Sequence, residues 1–178
     1  TVRLGQARLQ LQVDVGFGDA LVPMPRKVDF PSLLGFPKAR VSAYRRETVV
    51  AEKFQTMVHL GIANSRMKDF YDLWTLANNF EFEGMQLCQA LKATFKRRRT
   101  ALPTKAPIAL TDEFYRDGPK QAQWSAFACR NSINSDAQGL DDVAGLLNRF
   151  LMPPMRAIVG AESFEMRWPA AGPWKPPS

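Results

Sequence analysis

The chain has one histidine, His59, and two cysteines, Cys88 and Cys129, among its 178 residues. Two widely separated cysteines exclude a disulfide framework, and with a single histidine they leave no zinc set. They read as reduced thiols of a cytoplasmic protein. His59 stands between Val58 and Leu60, where a partly buried structural role is expected rather than that of a base. No hydrophobic run approaches the ~20 residues of a membrane helix, the opening residues carry no signal-peptide pattern, and no repeat occurs at any period. A phosphate loop of the Gly-x-x-x-x-Gly-Lys-Ser/Thr type is missing, as is a Gly-x-Ser-x-Gly elbow. Gly16-Phe17-Gly18 has neither the third glycine nor the following helix of a dinucleotide fingerprint. Residues 1–13 contain no acidic side chain at all.

What is present has a globular balance, 46% hydrophobic and 23% charged. Lys and Arg number 24 against 17 Asp and Glu, a net charge of +7, which favours an anionic partner. The excess is local. Residues 92–130 hold nine basic and three acidic side chains, whereas residues 131–178 are slightly acidic.

Residues 8–15 alternate strictly, with Leu9, Leu11, Val13 and Val15 on one face, and predict a half-buried strand. Gly16-Phe17-Gly18-Asp19 breaks it, and a second extended piece runs from Ala20 to Met24 before Pro25. Pro31, Gly35 and Pro37 make residues 28–41 read as a loop with a little extended structure. Helical periodicity predicts helices over about 46–60, with Gly61 as its stop, and over 66–78 with Ser65 as N-cap. Further helices are predicted over 84–98, 112–131 and 140–152. Four prolines in residues 168–178 predict a flexible Pro-rich tail. The expected fold class is α+β, with a partial sheet over 1–43, a helical domain over 44–167 and the tail over 168–178.

Three constellations could carry chemistry. Asp14 sits on the polar face of the first strand with Asp19 beyond the turn, as a metal ligand would, or simply as a solvated strand residue. Lys53 on one helix and Lys68, Asp69 and Asp72 on the next fall on adjacent antiparallel elements. Lysines there suit a triphosphate and an Asp suits a base, but by pattern alone a plain Lys68–Asp72 ion pair explains the spacing better. Lys96, Arg97, Arg98 and Arg99 form either a nucleic-acid-binding patch or a helix end whose cations complement the macrodipole.

In order along the chain, the segments 12–19, Glu47-Thr48-Val49-Val50-Ala51-Glu52-Lys53, Asn64-Ser65-Arg66-Met67-Lys68-Asp69-Phe70-Tyr71-Asp72-Leu73 and Thr94–Thr100 resemble the AbiEii/AbiGii-type toxin nucleotidyltransferases over about residues 8–100. The resemblance implies a nucleotidyltransferase-like sheet followed by helices. It implies transfer of a nucleotide from a nucleoside triphosphate, with Mg²⁺, onto RNA, in some relatives tRNA. It also implies a toxin neutralised by a cognate antitoxin, sometimes in phage defence. Carried over, Lys53 and Lys68 contact the nucleotide, Asp69 or Asp72 is the late catalytic aspartate, and Asp14 is the strand aspartate. The family's metal-binding Asp pair has no counterpart upstream of Asp14, so the chain is expected to be truncated and inactive alone, and the identity of any metal ligands stays open. An uncovered sheet edge would favour a homodimer. The alternative is a non-catalytic basic module that binds nucleic acid or the antitoxin through residues 96–99.

Overall fold

A computed structural model of the chain describes residues 1–10, 18, 21–32, 35–131 and 139–177. The class is α+β, as expected. The described strands form three separate antiparallel pairs: β1 (Val2–Leu4) with β2 (Ala7–Leu9), β3 (Arg26–Phe30) with β4 (Ala39–Ala43), and β5 (Phe82–Glu83) with β6 (Arg167–Trp168). The helices are α1 (Arg46–Leu60), α2 (Met67–Asn79), α3 (Gly84–Arg97), the short α4 (Asp112–Tyr115), α5 (Gly118–Arg130) and α6 (Leu140–Val159).

The alternating strand expected over 8–15 is described only as far as Leu9, in β2. Its remainder, with Asp14 and Asp19, lies outside the described residues. Over 28–41, expected as a loop with a little extended structure, 28–30 and 39–41 are strand and the described residues between them are not. Val28 pairs with Val41 and Phe30 with Ala39, and the breakers Pro31, Gly35 and Pro37 fall in the connection between the strands. The helix expected over 112–131 splits into α4 and α5. Asp117 caps α5 by accepting the Lys120 backbone N–H at 3.0 Å, and Pro119 follows in its first turn.

One hydrophobic core joins the helices. α1 lies along α3, while α2 and α3 both pack on α6. Val50, Phe54 and Met57 of α1, Leu87, Leu91 and Phe95 of α3, and Val143, Leu147, Phe150 and Leu151 of α6 are almost wholly buried. Each is the apolar stripe of its own helix, and each such side chain contributes about 1.5–3 kcal/mol by leaving water.

α6 runs seven residues past its expected end, through Pro153 and Pro154. A proline has no N–H for the carbonyl four residues back, so Pro154 frees the Phe150 oxygen. The Trp174 indole N–H fills that vacancy at 2.9 Å. Trp168 donates its indole N–H to the Ala77 carbonyl at the end of α2, at 2.8 Å, and is itself 1% exposed. Residues 168–177 are therefore anchored rather than loose. Trp174 stacks on Phe150 and Trp168 packs tilted against it, and both supply donors to helix carbonyls that would otherwise be orphaned.

Candidate functional site

Gly61 sets the geometry. It ends α1 at φ 51°, ψ −130°, a conformation open only to glycine, and a Cβ there would also press on Ile108 at 3.3 Å. The chain then makes one 3₁₀ turn, Gly61–Ala63, and enters α2. Ser65 is not the cap. Arg66 holds that position with no side-chain cap bond, and the fully buried Asn64 shapes the turn before it, its Oδ1 accepting the Arg66 backbone N–H at 2.9 Å. The Asn64 carbonyl in turn accepts from Lys120 Nζ at 2.9 Å, which pins α5 to this turn. Lys120 is 8% exposed, so one cation of the basic 92–130 region is a structural tie.

This reversal brings Lys53 of α1 against Asp69 and Asp72 of α2. Lys53 Nζ lies 2.5 Å from Asp69 Oδ1 and 2.8 Å from Asp72 Oδ2. The other Asp69 oxygen takes Arg66 Nε at 2.6 Å, and Lys68 reaches Asp72 Oδ2 at 2.6 Å. The four residues singled out in the sequence thus form one network, and the Lys68–Asp72 pair expected within α2 is part of it. Two surroundings distinguish the aspartates. The Asp69 side chain is 4% exposed and the Asp72 side chain 26%.

Burial acts against the Lys53 ammonium. The hydrogen bonds and charges of Asp69 and Asp72 outweigh it, holding Lys53 above its ordinary value. Burial likewise pushes the Asp72 carboxyl up, but Lys53 and Lys68 hold it below its ordinary value.

A cleft of about 330 Å³ opens over this network, lined by Val49, Glu52, Lys53, Thr56, Arg66, Asp69 and Arg98. Its α1 wall is one face of the helix, positions 49, 52, 53 and 56. Arg98 comes from the basic run but folds back, donating to Gln55 Oε1 at 2.8 Å, while Gln55 donates to Thr100 Oγ1 at 2.7 Å. Its neighbours diverge. Arg97 donates to the Gly18 carbonyl, Lys96 lines a separate cleft with Phe95 and Leu102, and Arg99 holds the left-handed turn that ends α3, at φ 49°. Residues 96–99 are therefore not gathered into one patch.

Arg66 was not singled out in the sequence, and Arg98 was expected only as part of the basic run 96–99, not as a wall of this cleft. Arg66 carried a signal, its i, i+3 spacing to Asp69. Arg98 carried none, because a helix-end cation is ordinarily solvated. His59, expected to be partly buried, is exposed.

Both oxygens of Asp69 and the Oδ2 of Asp72 are taken by cationic side chains. Among the described residues, no group of three or more His, Cys, Asp or Glu is placed to hold a metal ion. The network neutralises ammonium and guanidinium groups and does not fit Mg²⁺, which requires open oxygen ligands.

A family model, that of the nucleotidyl transferase AbiEii toxin of type IV toxin–antitoxin systems, matches residues 1–145. The chain belongs to the AbiEii family. Membership makes it a toxin-family protein and implies an antitoxin partner. No curated protein and no solved structure matches it. In this AbiEii-family chain the matched region covers the whole Lys53–Asp69–Asp72 network and ends inside α6. No helix among the described residues is long and apolar enough to cross a membrane.

Proposed function

We propose that this AbiEii-family chain binds the triphosphate of a nucleoside triphosphate in the cleft of Lys53, Arg66 and Arg98, and presents it for transfer to an RNA acceptor such as tRNA in the cytoplasm. One observation carries the reading: a buried carboxylate, Asp69, grips Lys53 with one oxygen and Arg66 with the other at the edge of an open cleft. Two cations held in register by one carboxylate are pre-arranged for phosphate oxygens, Lys53 as a point charge and Arg66 as a planar fork. In this role Asp69 is a positioning residue. It fixes the two donors and keeps Lys53 protonated at neutral pH.

The experiment is binding of a labelled nucleoside triphosphate to the native chain and to Lys53→Ala. Loss of one charge-assisted contact is expected to weaken binding at least about tenfold. Equal affinity of the two proteins, with the variant folded, would sink the reading. A non-catalytic basic module at residues 96–99 is less well supported, because Lys96, Arg97 and Arg98 are engaged at different places. Pairing of two chains through an uncovered sheet edge remains part of the proposal. Light scattering at high concentration tests it, and a monomeric mass would remove it.

A further inference from the structure

A second and wider cleft, of about 620 Å³, adjoins the first on the other side of Arg66 and Asp69. α2 and α5 form its walls, and its lining includes Arg66, Lys68, Gln123, Ala126, Phe127 and Arg130. Three of these are cations. Ala126 and Phe127, with Met67 and Ala122, give it an apolar side.

The aromatic wall is held firmly. The Phe127 ring packs 5.9 Å from Tyr71 and 5.8 Å from Trp124, and remains only half-buried. Gln123 Oε1 is buried and has no hydrogen-bond partner among the described residues. A buried acceptor left without a donor is costly, so a turn of the Gln123 amide that lets it meet a ligand N–H in the cleft is favoured. The cleft also faces the first turn of α2, whose dipole favours negative charge.

An apolar, aromatic wall, an unfilled acceptor and three cations together match one ligand chemistry: a planar heterocycle with ring amines, attached to phosphate. We infer that this cleft is a nucleotide subsite, in which a base lies against Phe127 near Gln123 while its phosphate meets Arg66, Lys68 and Arg130. The inference deepens the preceding reading and rests on it only for the ligand of the neighbouring cleft. Two sources share the chemistry: the base end of the same nucleoside triphosphate, or the terminal nucleotide of a single-stranded RNA acceptor.

Fluorescence anisotropy on the full chain separates them, with two probes: a short 5′-labelled single-stranded RNA and a nucleoside triphosphate labelled on its ribose. The variants are Phe127→Leu, which keeps an apolar side chain in the aromatic group, and Arg130→Ala, at an exposed position. Lys105→Ala, at an exposed cation between α3 and α4, controls for overall charge. Loss of base stacking or of the phosphate contact is expected to weaken the bound probe at least about fivefold. If both variants weaken RNA and spare the triphosphate, the occupant is the RNA end. If both weaken the triphosphate, the occupant is its own base. If neither probe is affected, or Lys105→Ala weakens binding as much as Arg130→Ala, the subsite is refuted. Thermal melting checks that each variant folds, and should Phe127→Leu fail there, Arg130→Ala decides alone. Insensitivity of triphosphate binding to Lys53→Ala would sink the first cleft's assignment, whatever Phe127 and Arg130 do.

Discussion

Asp69 and Asp72 are three residues apart on one helix, share the Lys53 ammonium and differ in burial, and this difference decides what each substitution does. Replacing Asp69 by Asn removes the charge that faces both Lys53 and Arg66 in a nearly closed site. A loss of about 1–3 kcal/mol is expected in urea denaturation, with weaker triphosphate binding. The pH response follows from the two shifted groups. The Asp72 carboxyl is held below its ordinary 3.8, so its stabilisation is complete above that value and is lost as pH falls through the lowered native one. Lys53 is held above 10.5, so its contribution is complete below that value and is lost as pH rises through the raised native one. The urea midpoint is therefore expected to fall on both flanks, and Asp72→Asn to flatten the acid flank. An unchanged acid limb in that variant would contradict the assignment. The cysteines take no part in the network. Both are free thiols, and burial pushes Cys88 up to about 11 against the opposing charge of Lys92.

At the scale of elements, α1 was legible because its apolar face and its terminal Gly61 agree on one answer. The pairing of Lys53 with Asp69 and Asp72 was legible too, because a short connection between two amphipathic helices leaves little choice of neighbour. The β3–β4 hairpin was legible only as a loop with a little extended structure, and the pairing of its strands was not. Its strands have mostly exposed residues and no alternating burial, so the three breakers dominated the pattern. The full length of α6 was hidden by Pro153 and Pro154, since the tertiary donor from Trp174 that compensates one of them lies twenty residues further on. Helix ends give two clean tests. Gly61→Ala forces a side chain into a conformation it disfavours and against Ile108, and is expected to cost about 1–3 kcal/mol. Ala161 stands at φ 55° after α6, where Glu162 N–H reaches the Ala157 carbonyl at 2.9 Å, a left-handed helix stop that glycine fits best. Ala161→Gly is expected to add about 0.5–1 kcal/mol, read as a raised melting temperature. A lower one would show that the turn is not strained.

For the whole molecule, the limit of the family match and the limit of the core do not coincide. The match ends at residue 145, yet Leu146, Leu147, Phe150, Leu151, Met152, Met155 and Trp168 beyond it are buried in the shared core. A chain ended at residue 145 is expected to lose cooperative folding in circular dichroism melts, and a sharp transition in such a chain would contradict the packing described here. The same core explains why only part of the site was readable. Lys53, Lys68, Asp69 and Asp72 are local to one helical hairpin, whereas Arg98, Gln123, Phe127 and Arg130 reach the clefts only because α3 and α5 are docked against it by Gln55, Asn64 and Lys120. Arg66 stands on the wall of both clefts. The two ligands would therefore draw on one guanidinium, and whichever arrives first changes what it can offer the second. Such coupling is reciprocal by thermodynamic necessity, so on the proposed reading the link between the two clefts would be this single side chain.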